Sequence, residues 1–324
     1  MATLIRSLSF TKRSIINYLL KKPLCVSFEV TYNCNANCKH CHLGGAVKEV
    51  RASPQRFGEL CRILSPVVAQ ISGGEPLLRH DLEEIVRAMH RPGKAPRIVV
   101  TTNGKLLTKK KYLELRAAGV DDFSLSLDYP DERHDEFRRI PGLFKQISSL
   151  MEDFEPGEDK AITLSCVVQS DNFRELIKMA DLAHKWNTKI NFSTYTWLRT
   201  NKKEYLIPKE EMPELRKIIY RLIEYKRKYK NIYTSDHIFK KMIGFFENHN
   251  VLNCRAGERF FVVNPDGTLS PCGLIIKEYA SHREIKDDFL KHNDCVYCYT
   301  SLRGNAERPP TYLLRDNLFI FQKT

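Results

Sequence analysis

The sequence predicts an α/β fold: six strands and their helices form a partial barrel, and a small cysteine-rich domain of a hairpin and helices follows. Six β-rich runs alternate with helical segments at spacings of roughly 25–40 residues, which is the pattern of repeated βαβ units. Polar or glycine-rich residues follow each of the first four runs, and parallel strands bring their carboxyl ends to one rim. Four of the ten cysteines lie beyond residue 250, which sets the tail apart from the barrel.

Local signals place each element in turn. The strands are expected at 24–31, 67–72, 97–102, 123–128, 161–168 and 189–195. The helices between them are expected at 53–64, 81–90, 108–118, 143–153 and 172–186. Ser53 and Thr108 are suitable N-cap residues, and Pro54 suits the first helical position. Right-handed crossovers put all these helices on one side of the curled sheet, as in a (β/α)6 TIM-like barrel.

The chain divides into four predicted segments: a basic amphipathic helix at 1–22, the barrel at 23–205, a helical connector at 206–250 and the cysteine-rich domain at 251–324. The first segment holds five basic residues and no acidic residue. It is expected to cap the bottom of the barrel, with a peripheral membrane contact as the alternative. It lacks the apolar region and cleavage site of a signal peptide, and no apolar run is long enough to span a membrane. A cytoplasmic location is expected, with membrane association through this helix as the alternative.

The composition is that of a folded soluble protein, with 42% hydrophobic and 28% charged residues among 324. The formal net charge of +13 attracts anions in general, including phosphates, acidic lipids and nucleic acid. Neither an arginine-rich tail nor the pattern of an RNA-recognition module accompanies this charge. A non-catalytic, metal-stabilised protein that binds nucleic acid is therefore the alternative to an enzyme.

Three cysteines, Cys34, Cys38 and Cys41, follow the first predicted strand with the spacing C-x3-C-x2-C. Thiolates are metal ligands, and a loop of this kind can wrap three of them around an iron–sulfur cluster. Three thiolates leave one iron of a four-iron cluster open, as catalytic metal sites leave a position free. Zinc completed by His40 and His42 is the main alternative, and a disulfide is less expected in a chain of this type.

A second set of cysteines lies in the tail and comprises Cys254, Cys272, Cys295 and Cys298. A predicted hairpin with an Asn-Pro-Asp-Gly turn at 264–267 separates the first two and can aim them at one point. Four thiolates fit a closed site for either zinc or a [4Fe–4S] cluster. The remaining cysteines, Cys25, Cys61 and Cys166, are expected to be small buried hydrophobic residues.

The cysteine loop, the run Gly73-Gly74-Glu75-Pro76 and a later polar segment together resemble the radical S-adenosylmethionine (radical SAM) superfamily. The resemblance implies a [4Fe–4S] cluster held by the three thiols of the loop, with S-adenosylmethionine chelating its open iron. It implies that Gly73, Gly74 and Glu75 bind the methionine amino group. Ser126 and Asp128, followed by Arg138, resemble the segment whose serine and arginine contact the methionine carboxylate and ribose.

The four cysteines of the tail, together with Gly267, make it similar to the SPASM/twitch extension of that superfamily. The full pattern requires a further cysteine where this chain has Gly304. The resemblance therefore implies a shortened module with one auxiliary [4Fe–4S] cluster, held by Cys254, Cys272, Cys295 and Cys298.

The function implied is reductive cleavage of S-adenosylmethionine to a 5′-deoxyadenosyl radical, which takes hydrogen from an unidentified substrate. That substrate is a lipid, a peptide, a sugar or a cofactor precursor, and the enzyme is an oxidoreductase or a transferase. The expected partners are this substrate and an electron donor such as flavodoxin or ferredoxin, and nucleic acid is not expected. No residue is assigned as a catalytic acid, base or radical quencher.

Overall fold

The computed structural model of the chain describes residues 2–155, 158, 160–275, 277–309 and 311, with side chains from Leu8 onward. Its single sheet has eight strands: β1 Cys25–Thr31, β2 Val68–Gly73, β3 Arg97–Thr102, β4 Asp122–Ser126, β5 Ile162–Val168, β6 Lys189–Thr194, β7 Phe260–Val263 and β8 Leu269–Ser270. Six of them match the predicted β-rich runs, although β4 ends two residues earlier than expected. The fold class predicted from the sequence is confirmed.

The order of strands across the sheet is β6-β5-β4-β3-β2-β1-β7-β8. Strands β1 to β6 pair in parallel with their neighbours, so each crossover carries a helix back across the sheet. The tail strand β7 also pairs in parallel with β1, with Cys25 opposite Phe260, and β8 returns antiparallel to β7. The predicted hairpin is therefore continuous with the barrel sheet and extends it at the β1 edge.

The helices are α1 Ala2–Leu19, α2 Pro54–Leu64, α3 Leu82–Met89, α4 Lys109–Ala118, α5 Arg133–Arg138, α6 Leu143–Glu152, α7 Leu176–Lys185, α8 Met212–Tyr229, α9 Asp236–Asn248, α10 His282–Glu284 and α11 Ser301–Ala306. The Ser53 and Thr108 side chains cap α2 and α4 as predicted, accepting hydrogen bonds from the second residue after each helix start. The short helix α5 was not predicted. Among the described residues, no helix is both long enough and apolar enough to cross a membrane.

The two faces of the sheet differ in chemistry. On one face, apolar side chains such as Phe28, Ile71 and Val100 are fully buried in the main core. The alternate residues point into the barrel, because side chains of a strand alternate between faces. There they line a cavity of about 370 Å³ with hydroxyl and amide groups, including those of Gln70 and Ser126. The interior of this barrel therefore holds a cavity with both polar and apolar walls rather than a packed core.

The barrel is closed at its lower end and at its open seam by helices. Phe10 of α1 packs with Leu24, Val67 and Ala95, at the starts of β1, β2 and β3. Asn305 and other residues of α11 line the cavity together with inward-facing residues of β6. The mouth at the carboxyl ends of the strands is where the predicted site residues lie.

Candidate cluster and cofactor site

The cysteine loop follows β1 and is closed on itself. The Cys34 amide donates to the Gly45 carbonyl at 2.9 Å, and the Cys41 amide donates to the Cys38 carbonyl at 3.2 Å. Burial, and then the nearby charges of Glu75, Cys38 and Cys41, raise the pKa of the Cys34 thiol to about 11. All three thiols are free of disulfides. The three thiols that the spacing singles out therefore lie on one closed loop.

Glu49 holds the base of this loop, a role that the sequence did not reveal. Its carboxylate accepts hydrogen bonds from the Thr31 hydroxyl at 2.5 Å, the Tyr32 amide at 2.6 Å and the Asn33 side chain at 2.7 Å. Arg51 pairs with the same carboxylate at 2.6 Å. These bonds join the end of β1 to the segment that leaves the loop. A single glutamate between a loop and a helix carries no spacing signal, so the sequence alone could not identify it.

The two glycines that follow Ile71-Ser72 are required by a close approach of two backbones. A Cβ atom on Gly73 would lie 2.1 Å from the Thr31 carbonyl oxygen, and one on Gly74 would lie 2.1 Å from the Asn33 carbonyl oxygen. Gly73 also has φ +130°, which side chains rarely adopt. The Gly74 and Glu75 amides donate to those carbonyls at 2.7 and 2.8 Å. The motif therefore lies directly against the start of the cysteine loop.

Glu75 is fully buried and links the ends of β2 and β3. Its carboxylate accepts hydrogen bonds from the Thr102 hydroxyl and the Asn103 amide, both at 2.8 Å, and from the Leu77 amide at 3.1 Å. Asn103 in turn donates its side-chain amide to Asn35 of the cysteine loop at 2.7 Å. A carboxylate has about four acceptor positions, so these three bonds leave about one for a ligand. Burial raises the pKa of Glu75.

Asp128 and Arg138 form a buried ion pair at the end of β4. The Arg138 guanidinium donates to Asp128 Oδ2 from Nε at 2.8 Å and from Nη2 at 2.6 Å. Arg138 Nη1 lies 3.8 Å from Cys38 Sγ. Burial alone would raise the pKa of Asp128, but the Arg138 charge holds it below its usual value. Asp128 therefore positions Arg138, and Arg138 faces the cluster loop beside Ser126, which lines the same cavity.

The helix α5 holds the other side of the loop. The His40 ring stacks on Phe137 with centroids 4.7 Å apart, and the Lys39 amide donates to the Phe137 carbonyl at 3.1 Å. His40 Nδ1 is buried without a hydrogen-bond partner among the described residues. Lys202, which follows β6, donates to the Lys39 carbonyl at 2.7 Å. Contacts from two distant elements therefore fix the loop at its centre.

A zinc ion and a cubane cluster would place different demands on the thiols of this loop. Thiolates about 2.3 Å from one zinc ion must lie within about 4 Å of one another. In the described part of the chain, no three His, Cys, Asp or Glu side chains are arranged to hold a single metal ion. A cubane carries each thiolate on a different iron and spaces them more widely. The stacked His40 ring is also committed to Phe137.

The tail cysteines form a second group around a buried arginine. The thiols of Cys254 and Cys295 are hydrogen-bonded to each other. Arg303 is fully buried and donates to the carbonyl of Cys298 at 2.8 Å and to that of Val251 at 2.8 Å. Its Nε pairs with Glu307 at 2.9 Å. Arg303 therefore holds together the two chain segments that carry three of the four thiols, a role that no local pattern in the sequence indicates.

Residues 28–156 match the family model described as the radical SAM superfamily. This segment is a radical SAM domain. A domain of this superfamily implies a [4Fe–4S] cluster and S-adenosylmethionine as cofactors.

Two curated relatives of the chain differ in how much of it they match. The AdoMet-dependent heme synthase of Methanosarcina barkeri is 36% identical over 169 residues, which cover 50% of this chain and 47% of the relative. The subtilosin biosynthesis protein AlbA of Bacillus subtilis is 26% identical over 305 residues, 91% of this chain and 64% of the relative. The chain thus spans about half to two thirds of the length of these relatives.

Solved structures share the fold over most of the chain. SuiB of Streptococcus suis bound to S-adenosylmethionine superposes with a TM-score of 0.61 at 17% identity, covering 88% of this chain and 70% of that one. The enzyme anSMEcpe, with bound AdoMet and a peptide, gives a TM-score of 0.55 at 18% identity, covering 84% and 80%. At these identities the likeness shows the fold alone.

The tail of the chain packs against the mouth of the barrel. Tyr32 donates its hydroxyl to Asn264 at 3.2 Å, and Arg199 donates to the carbonyl of Gly273 at 2.7 Å. Glu29 of β1 lies beneath Gly273, since a Cβ atom there would lie 3.1 Å from Glu29 Oε1. Burial raises the pKa of Glu29 to about 7, and the Arg199 charge opposes this rise. Glu29 is a half-buried acid at the contact between β1 and the tail that the sequence did not single out.

The three leftover cysteines lie where they were expected. Cys25, Cys61 and Cys166 are all buried in hydrophobic clusters. Burial raises the pKa of Cys25 and of Cys61 to about 12, so both remain thiols at neutral pH. These residues contribute to packing rather than to either cysteine set.

Proposed function

We propose that this enzyme cleaves S-adenosylmethionine reductively at the Cys34–Cys38–Cys41 loop and uses the resulting radical on a bound substrate. When bound and reduced, the cluster and its sulfonium cofactor supply a 5′-deoxyadenosyl radical that takes hydrogen from an unactivated C–H bond. The observation that carries the proposal is the closed three-thiol loop, with Arg138 Nη1 3.8 Å from Cys38 Sγ on one side and Glu75 linked to it through Asn103 on the other.

The residues of the chain have distinct proposed roles toward these cofactors. Cys34, Cys38 and Cys41 hold the cluster and leave one iron open. Glu75 offers its remaining acceptor position, together with the backbone of Gly73 and Gly74, to the methionine ammonium. These acceptors lie where the glycines bring β2 against the loop.

Arg138 and Ser126 are proposed to bind the carboxylate end of the cofactor. A guanidinium has five N–H donors, and Asp128 takes two of them, so donors remain for an anionic group. Asp128 itself is fully buried behind Arg138. Its proposed role is to orient the guanidinium and to balance its charge.

The four tail thiols are proposed to hold one auxiliary [4Fe–4S] cluster. Cys272 and Cys298 are buried, and Cys254 and Cys295 are half-buried, which suits a closed site rather than a reactive one. With all four positions filled by protein, this cluster would pass electrons or shape the pocket and would not bind substrate. Arg303, buried among the segments that carry the thiols, would offset part of its negative charge.

The substrate is proposed to be a peptide or a cofactor precursor. Among the four classes that the sequence leaves open, these two are favoured by relatives named as heme synthases and a bacteriocin biosynthesis protein. A related fold was solved with a precursor peptide bound. Lipids and sugars have no such support. The electron donor is proposed to be an acidic protein such as flavodoxin or ferredoxin, since the net charge of +13 would attract it.

Two further parts of the proposal concern the chain as a whole. We propose that residues 1–22, 23–205, 206–250 and 251–324 act as a basal helix, a catalytic barrel, a connector and an auxiliary-cluster module. We also propose that the first segment, residues 1–22, makes a peripheral membrane contact. Residues 312–324 of the last segment lie outside the described part of the chain.

Metal analysis after anaerobic reconstitution tests the cofactor assignment. About eight iron and eight sulfide per chain are expected for the wild type, and about four for both Cys38→Ala and Cys272→Ala. The two variants are matched, because each removes one thiol from one set. Zinc in place of iron, or the loss of both clusters from either variant, would overturn the assignment. Tight RNA binding with a steep salt dependence would favour the non-catalytic alternative instead.

A further inference from the structure

The helix α1 buries polar residues and exposes aliphatic ones, which is the reverse of an ordinary helix that caps a core. Its buried residues include the polar pair Ser14 and Asn17. Its large aliphatic residues face outward, and Leu8 and Leu19 are 62% and 72% exposed. Ile15, Ile16 and Leu20 are exposed on the same side. We call these five residues, Leu8, Ile15, Ile16, Leu19 and Leu20, the outer apolar face. An amphipathic helix that only covers a core turns its apolar side inward.

Specific hydrogen bonds fix the helix in this orientation. Asn17 donates its side-chain amide to the carbonyls of Pro23 at 2.7 Å and Ser65 at 2.9 Å. Arg13 donates to the Ser65 carbonyl at 3.2 Å and also bonds the Ser65 hydroxyl. Rolling the helix to bury its leucines would break these bonds and leave buried polar groups without partners, which is costly. The exposure of the outer apolar face is therefore built into the fold.

The charged side chains of this N-terminal segment are all basic. Lys12, Lys21 and Lys22 are exposed. None of the three forms an ion pair with another described residue. Residues 1–28 contain no acid, since Glu29 is the first acidic residue of the chain. Lys12 lies within the strip, four residues after Leu8 and four before Ile16, and Lys21 and Lys22 follow its carboxyl end. An aliphatic strip that carries basic residues is typical of a helix that lies in the surface of an anionic bilayer. The lysine stems can extend along the apolar strip while their ammonium groups reach the head groups.

We propose that the outer apolar face of α1 docks the enzyme on an anionic lipid bilayer. The leucines and isoleucines enter the boundary between head groups and acyl chains, and the three lysines contact acidic head groups. This inference deepens the membrane contact proposed above and does not depend on the proposed reaction, because no described residue of α1 belongs to either cysteine set.

The position of α1 also determines how the docked enzyme faces the membrane. Phe10 packs with residues at the starts of β1, β2 and β3, whereas Cys34 and Gly73 lie at the ends of β1 and β2. The two ends of a barrel strand are on opposite sides of the molecule. Docking through α1 therefore turns the mouth away from the bilayer and toward the aqueous phase. The helix is an anchor and not an entry route for a lipid substrate.

Sedimentation of the full chain with vesicles tests this proposal. We expect binding to vesicles of phosphatidylcholine mixed with phosphatidylserine, little binding to phosphatidylcholine alone, and weakening as salt rises. Replacing Lys21→Ala or Lys22→Ala should lower affinity about fivefold for each charge removed. The double change Leu19→Glu and Leu20→Glu should lower it about tenfold or more, because two carboxylates replace apolar contacts. Leu113→Glu is the matched control: Leu113, on α4, is 52% exposed, and this variant should bind like the wild type.

Several results would overturn the proposal. These are equal binding to neutral vesicles, no binding to any vesicle, or wild-type binding by the leucine double variant. A dimer that the same variant dissociates would assign the face to a second copy of the chain. If the full chain failed to bind and a chain without residues 312–324 bound, that segment would be the occupant. Because the altered side chains are exposed, all variants should unfold at the wild-type temperature, which separates lost binding from lost folding.

Discussion

Replacing Asp128→Asn removes one partner of the buried ion pair that orients Arg138. The carboxylate accepts from Arg138 at 2.6 and 2.8 Å and from the Val167 amide at 3.0 Å. An asparagine cannot accept all three bonds, since its NH2 group must face either the guanidinium or the amide. Breaking a buried pair on one side costs about 3–5 kcal/mol. Because Cys38 remains beside Arg138, we expect the low end, about 3 kcal/mol.

Urea unfolding of wild type and Asp128→Asn without clusters measures this loss, and S-adenosylmethionine binding measures its effect on the site. The cost should be smaller once the anionic cluster is bound beside Arg138. The difference between the two proteins should also shrink below about pH 4, because Asp128 has a lowered pKa and its stabilising charge is lost as it is protonated.

Asp131→Asn is the matched control for this experiment. Asp131 pairs with Arg133 at 2.6 Å in the same turn, but both side chains are more than a third exposed. An exposed pair contributes at most about 1 kcal/mol. If Asp128→Asn cost no more than Asp131→Asn, and bound S-adenosylmethionine like the wild type, the role assigned to the buried pair would be refuted.

Four other substitutions, one of them a control, have defined outcomes. Gly73→Ala should cost about 2 kcal/mol or more in urea unfolding, because its Cβ would lie 2.1 Å from the Thr31 carbonyl oxygen at a φ of +130°. Gly93→Ala has a positive φ and open space, so it should cost less. Glu49→Gln should speed iron loss from the Cys34 loop, followed by absorbance, and an unchanged rate would show that the clamp is dispensable. Glu29→Gln should gain stability over the wild type between about pH 4.5 and 7, reaching about 2 kcal/mol, since the raised pKa makes the ionised carboxylate a growing penalty. Equal stability of Glu29→Gln and the wild type at pH 8 would contradict the raised pKa of Glu29.

The sequence predicts most of the barrel because its signals are local. Alternating β-rich runs, the Ser53 and Thr108 caps and the order of the helices depend on neighbouring residues, and the structure has them. The cysteine loop and the Gly-Gly-Glu-Pro run are also continuous motifs. Their placement at one rim follows from parallel strand order alone.

Other features could not be predicted because they depend on contacts between distant segments. The pairing of β7 with β1 joins residues more than two hundred positions apart, and no local pattern specifies it. The hydrogen bonds of Glu49 and the burial of Arg303 are likewise properties of the folded chain. The pairing of the fully buried Asp128 carboxylate with Arg138 is another such contact. The outer apolar face of α1 is visible only once Asn17 is seen to be buried.

Release of 5′-deoxyadenosine from S-adenosylmethionine, by reconstituted protein reduced with dithionite, tests the three-thiol site most directly. We expect release by the wild type, none by Cys38→Ala, and continued release by Cys272→Ala, which lacks only a tail thiol. Release by Cys38→Ala at the wild-type rate would contradict the assignment of Cys34, Cys38 and Cys41 as the reactive site. No release by wild-type protein that holds its full complement of iron would contradict it as well.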